Sequence, residues 1–115
     1  MQSYQLHINI KNNIEIQIGK PGKFTFPMGN YIYTGSAKKN INERIKRHQS
    51  KSADKKLHWH IDFLLNDKNA KITEVHKFEK EECILNQETC GEIIIAGFGS
   101  FDCKNKCKSH LKYLG

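Results

Sequence analysis

The chain has 115 residues, a hydrophobic fraction of 37% and a net charge of +7, with 19 Lys and Arg against 12 Asp and Glu. That length bounds it to one domain over residues 1–115 with one modest core, and no apolar run approaches the ~20 residues that span a bilayer. No cationic and apolar leader is visible at the start, so a cytoplasmic location is expected; the basic excess favours polyanionic partners, nucleic acid first, and without a spanning run no membrane partner is expected.

Tyr4 to Ile10 alternates polar and β-forming residues, which predicts a half-buried strand. Lys11-Asn12-Asn13 reads as a polar turn. Ile14, Ile16 and Ile18 alternate again and are expected to form a hairpin with the first strand. Gly19-Lys20-Pro21-Gly22 breaks the pattern, and Lys23 to Phe26 is a short extended piece. Gly29-Asn30 then leads into a strand from Tyr31 to Thr34, with Gly35 expected to permit a sharp exit from it.

Asn40 reads as an N-cap, and a helix is predicted from Ile41 to about Gln49 with Ile41, Ile45 and His48 on one face and Arg44 beside it. Residues 50–56 are polar. Leu57 to Leu65 fits a strand, with His58, His60 and Asp62 on one side, or a short helix equally well. Ala70 to Phe78 reads as a strand and Glu81 to Thr89 as a helix. Ile93 to Ile95 reads as a buried strand or turn, and the basic tail is anchored by Leu111, Tyr113 and Leu114. The sum is an α+β chain, an α/β sandwich with a small, mostly antiparallel central sheet flanked by helices. The cysteines, Cys83, Cys90, Cys103 and Cys107, are expected to be reduced thiols.

One stretch carries chemistry. Arg44 follows Gly35 by nine residues, and His48 follows Arg44 by four, so the two share a helical face opposite the tyrosine-bearing strand. A phenol, a guanidinium and an imidazole in one cleft suit a phosphodiester: one accepts a proton from water, one binds phosphoryl oxygens, one tunes the first. Between Lys38 and Lys56 the only acidic residues are Glu43 and Asp54, so this region is a basic patch.

Five segments extend the pattern: Ser3-Tyr4-Gln5-Leu6, Tyr33-Thr34-Gly35 with Arg44 and His48 after it, His58-Trp59-His60-Ile61-Asp62-Phe63-Leu64, Glu82-Cys83, and Gly97-Phe98-Gly99-Ser100-Phe101-Asp102-Cys103 with Ser109-His110-Leu111. In this order they resemble the GIY-YIG nuclease superfamily, in its small stand-alone branch of Uri-type endonucleases. Two positions depart from the pattern: Ser3 stands where glycine or isoleucine is usual, and Thr34 replaces a β-branched apolar residue.

The resemblance implies an endonuclease that hydrolyses phosphodiester bonds with one divalent cation. Glu82 would hold Mg²⁺ or Mn²⁺, with Glu81 as its rival. Tyr4 or Tyr33 would activate water, helped by His48, and Arg44 would bind the scissile phosphate. A free phenol titrates near ~10, so Arg44 or the metal would have to lower its pKa. Lys38, Lys39, Lys46, Arg47 and Lys51 are expected to contact the nucleic-acid backbone, with His58 and His60 lining the groove. DNA is the first substrate, single-stranded or branched, and RNA the second. Two alternatives stand beside this reading: a non-catalytic nucleic-acid-binding module, and a zinc-stabilised domain using His58, His60 and Asp62 or Cys103, Cys107 and His110.

Overall fold

The structure is a computed structural model, and it describes residues 2–18, 22–37, 39–49, 60–95, 98 and 109–115. The expected α+β architecture is present. The elements are β1 (Gln2–Ile10), β2 (Ile14–Ile18), β3 (Gly22–Phe26), β4 (Gly29–Ala37), α1 (Ile41–Gln49), α2 (His60–Leu65), β5 (Ala70–Phe78), α3 (Glu82–Glu88) and β6 (Leu111–Tyr113). Four strands form an antiparallel sheet in the order β5-β1-β4-β6, and β2 and β3 form a separate two-stranded ribbon.

The alternation of β1 sends Tyr4, Leu6, Ile8 and Ile10 into the core, each at most 2% exposed. Burying each aliphatic side chain of this kind contributes about 1.5–3 kcal/mol. Tyr31 and Tyr33 of β4, Ile41 and Ile45 of α1, and Ile61, Leu64 and Leu65 of α2 complete that layer. The expected half-buried strand is buried on both faces over its first half. There Ser3 Oγ donates to the Lys80 carbonyl at 2.7 Å, and Gln5 Nε2 donates to Thr34 Oγ1 at 3.2 Å and Thr89 Oγ1 at 2.6 Å. These polar residues tolerate burial because each is hydrogen-bonded.

Two expectations are corrected. β2 does not pair with β1: a strand has two edges, and those of β1 are occupied by nine-residue partners, β4 on one side and β5 on the other. β2 therefore pairs with β3. Gly35 does not end its strand either, since β4 continues to Ala37. The reason for glycine there is the ring of Tyr4, directly opposite in the register. A Cβ at position 35 would stand 2.6 Å from both Cζ and Oη of Tyr4.

The α1 boundaries and its buried face of Ile41, Ile45 and His48 agree with the sequence pattern. Asn40 stands at the cap, its carbonyl accepting from the Arg44 N–H at 3.1 Å. It does so at φ 56°, a left-handed conformation that asparagine tolerates better than most residues. The ambiguous segment is resolved as helix from His60 onward. Residues 93–95 join no named strand, and the tail supplies β6. No helix among the described residues is long and apolar enough to cross a membrane.

Gly35→Ala is expected to destabilise the fold by about 1–3 kcal/mol, the usual cost of an overpacked core. Combining it with Tyr4→Ala, which removes the clashing ring, should make the two effects clearly non-additive in a denaturant double-mutant cycle. Strict additivity would show that the Tyr4 ring is not what requires glycine at position 35.

Candidate functional site

The site forms where β1, β4, α1 and α3 meet. Tyr4 points from β1 to α1, and its hydroxyl lies 2.7 Å from His48 Nε2. Both side chains are buried, with Tyr4 and His48 each 2% exposed. The Tyr33 ring stands edge-on to His48 at 6.4 Å between centroids. Arg44, one turn before His48, donates from Nη1 to the Ser36 carbonyl at 2.6 Å. Its positive charge also acts on the Tyr4 phenol.

Glu82 enters from the first turn of α3. Its Oε2 lies 2.6 Å from His110 Nδ1, and Ser36 supplies another hydrogen bond. His110 Nδ1 is also 3.2 Å from the Thr34 carbonyl. The helix start places Glu81 and Glu82 differently. Glu81 is the N-cap, its Oε1 accepting from the Cys83 N–H at 3.2 Å, while Glu82 faces His110. Tyr4, Tyr33, Arg44, His48 and Glu82 are thus brought to one place.

Two further residues belong to this cluster. Asp62, fully buried on α2, receives paired hydrogen bonds from Arg47, with Nη1 to Oδ1 at 2.8 Å and Nη2 to Oδ2 at 3.1 Å. Its Oδ1 lies 3.9 Å from His48 Nδ1, beyond hydrogen-bond range but close enough for its charge to act. The result is an ordered row: phenol, imidazole, carboxylate, guanidinium. His110 is the second addition, as the partner of Glu82. Its sequence signals were Ser109-His110-Leu111 and its place with Cys103 and Cys107 in the zinc alternative. The Asp62 signal was its place in His58-Trp59-His60-Ile61-Asp62-Phe63-Leu64 and its alternation with His58 and His60.

Electrostatics sort these groups. Burial raises the Tyr4 pKa well above the ordinary phenol value; Arg44 opposes the shift, and Glu82 and Asp62 add to it. Tyr33 is raised too, again chiefly by burial and then by Tyr4, Glu82 and Asp62. Arg44 acts on the Tyr4 phenol in the expected direction, but desolvation outweighs that cation. Burial also pushes the Glu82 carboxyl up, but the hydrogen bonds of His110 and Ser36 and the charges of His110 and Arg44 outweigh it, leaving the pKa lowered. The phenols stay neutral and the carboxylate stays ionised.

The remaining candidates disperse. Arg47, expected on a phosphate, is committed to Asp62. His60 lies on α2 with its ring 5.5 Å from that of Phe98, and burial lowers its pKa. His60 and Asp62 do not share a strand face as the zinc alternative requires, since they are two apart on a helix. His110 is paired with Glu82. Lys39 and Lys46 are exposed. Lys38, Lys51, His58, Cys103 and Cys107 lie outside the described residues. Cys83 is buried and Cys90 is exposed.

A family profile matches this chain over residues 3–115, which includes every residue of the cluster. The chain belongs to the family described as Domain of unknown function DUF123. No curated protein and no solved structure matches it. The family description carries no activity, so the chemistry of this DUF123 domain rests on its own residues.

Asp62→Ala is expected to cost about 3–5 kcal/mol, because it strands Arg47 and removes the charge behind His48; a loss below ~1 kcal/mol in urea unfolding would contradict the buried pair. For Glu82 the sign follows from a folded pKa below its ordinary value of 4.5. Its contribution is complete above that value and is lost as pH falls through the lower folded value. The melting difference between wild type and Glu82→Gln should therefore be widest above pH 4.5 and shrink in more acidic solution. A difference that grows on acidification would refute the assigned direction.

Proposed function

We propose that this protein is a metal-dependent endonuclease that hydrolyses phosphodiester bonds in DNA, with single-stranded or branched DNA favoured and RNA second. The observation that carries this reading is the 2.7 Å contact between the Tyr4 hydroxyl and His48 Nε2, with Arg44 and ionised Glu82 beside it. The location that goes with it is the cytoplasm.

The chain's residues support a particular division of labour. Because burial keeps the Tyr4 phenol neutral, it acts as a relay and not as a standing phenolate. The water proton passes to the Tyr4 oxygen while the Tyr4 proton passes to His48 Nε2. The imidazolium so formed faces Asp62, whose charge stabilises it, as a buried carboxylate does behind a catalytic histidine. As the water oxygen bonds to phosphorus, the bond to the leaving oxygen breaks and that oxygen takes a proton from solvent. Arg44 offsets the charge that develops on the phosphoryl oxygens. Tyr33 packs beside His48 and holds its ring in place.

The residues present fit a hard divalent cation. Mg²⁺ and Mn²⁺ are held by one or two carboxylates and keep several waters, and Glu82 offers an ionised, partly exposed carboxylate. When bound there, the cation would supply positive charge to phosphoryl oxygens. A Glu82 turned away from the tyrosines would have favoured the non-catalytic module. Its charge instead acts on both Tyr4 and Tyr33.

The test is cleavage of labelled single-stranded, branched and duplex DNA, and of RNA, with Mg²⁺, Mn²⁺ or chelator. Cutting by wild type should require metal and disappear in Glu82→Ala. Tyr4→Phe and His48→Ala should each slow the chemical step by about 10²–10⁴ while retaining binding, the usual share of acid–base catalysis. Binding without cutting in every condition would replace this reading with the non-catalytic module.

A further inference from the structure

Strand alternation places Tyr4 and His7 of β1 on opposite faces of the sheet. On the face away from the tyrosines, Lys80 and Thr89, which flank α3, cover Ser3 and Gln5. That cover does not extend to His7, whose side chain is 30% exposed. Across the register His7 is opposite Glu74 and Gln5 is opposite His76. Glu74 and His76, two apart on the edge strand β5, point to the same side.

The three side chains converge. Glu74 Oε2 lies 3.3 Å from His76 Nε2 and 4.0 Å from His7 Nδ1, and the histidine rings are 5.0 Å apart between centroids. One ligand atom from each lies within 4.8 Å of the other two. Among the described residues this is the only such convergence of three histidine, cysteine or carboxylate ligands.

We propose that His7, Glu74 and His76 bind one zinc-class divalent cation on the open face of the sheet. Two imidazole nitrogens and one carboxylate oxygen are a borderline donor set, suited to Zn²⁺, Cu²⁺ or Ni²⁺ and poorly suited to Mg²⁺. A tetrahedron with metal–ligand bonds of about 2.0–2.1 Å separates its ligands by about 3.3 Å. The Glu74–His76 spacing already has that value, and His7 reaches it by rotating an accessible side chain. Three protein ligands leave one position for water or an outside donor, as in open zinc sites. The bound ion would also clip edge strand β5 to central strand β1. This site shares no residue with the proposed nuclease centre and has a different donor chemistry.

The test is calorimetric titration of the full, metal-free chain with Zn²⁺, followed by the visible spectrum of the Co²⁺ form. Wild type should bind one equivalent and melt at a higher temperature with the metal. His7→Ala/His76→Ala should weaken binding by at least the roughly 10–100-fold that even an outer-shell partner is worth. Both histidines are accessible, so the double variant is expected to fold, and its melting curve without metal checks this. Glu82→Ala should keep the Zn²⁺ equivalent, and the double histidine variant should keep any Mg²⁺-dependent cutting. The Co²⁺ spectrum should lack a thiolate charge-transfer band. No equivalent, an equivalent that survives the double substitution, or a thiolate band would each overturn the proposal, the last by assigning the metal to the cysteines.

Discussion

The contact between the Tyr4 hydroxyl and His48 is the constraint on which the rest of this structure depends. Both groups are withdrawn from water, and burying either one without a partner costs a few kcal/mol. The bond exists only if three elements agree. β4 must offer a position with no side chain, which Gly35 does. α1 must dock through Ile41 and Ile45 so that His48 faces the sheet. α2 must bring Asp62 behind the imidazole, with Arg47 neutralising that carboxylate. Removing any one of these leaves a buried polar group unsatisfied, so the fold and the site are held by the same contacts.

Burial and charge act in opposite senses on the acids of the cluster. For the phenols, desolvation wins over Arg44, and they remain neutral. For Glu82, the hydrogen bonds of His110 and Ser36, with Arg44 nearby, win over desolvation, and it remains ionised. The difference lies in donors: the carboxylate is met by His110 and Ser36, whereas Tyr4 has Arg44 on one side and two carboxylates within reach of its field. A neutral phenol against an imidazole suits proton transfer. An ionised carboxylate suits a hard cation.

Much of this was legible in the chain. The α1 face followed from the spacing of Ile41, Ile45 and His48, and the meeting of Tyr4, Arg44, His48 and Glu82 followed from ordered motifs. Other features were not. A hairpin between β1 and β2 is locally reasonable, and only the competition of β4 and β5 for the edges of β1 excludes it. Gly35 looked like a turn because glycine in sequence signals conformational freedom. Here it answers a side chain thirty-one positions away. The sequence grouped Arg47 with the lysines of the basic patch and Asp62 with His58 and His60, and only three-dimensional pairing joins Arg47 to Asp62.

The sequence by itself determined the local elements that have strong periodicity, the basic character of the chain and the set of side chains available for chemistry. Those properties depend on residues within a few positions of one another. Tertiary structure decided which strand edges pair, which arginine is committed to a buried carboxylate, which of two adjacent glutamates pairs with His110, and that His7 meets Glu74 and His76. These outcomes rest on long-range register and on the balance of desolvation against charge. Neither is encoded at any single position, because each is set by neighbours that only the folded chain brings together.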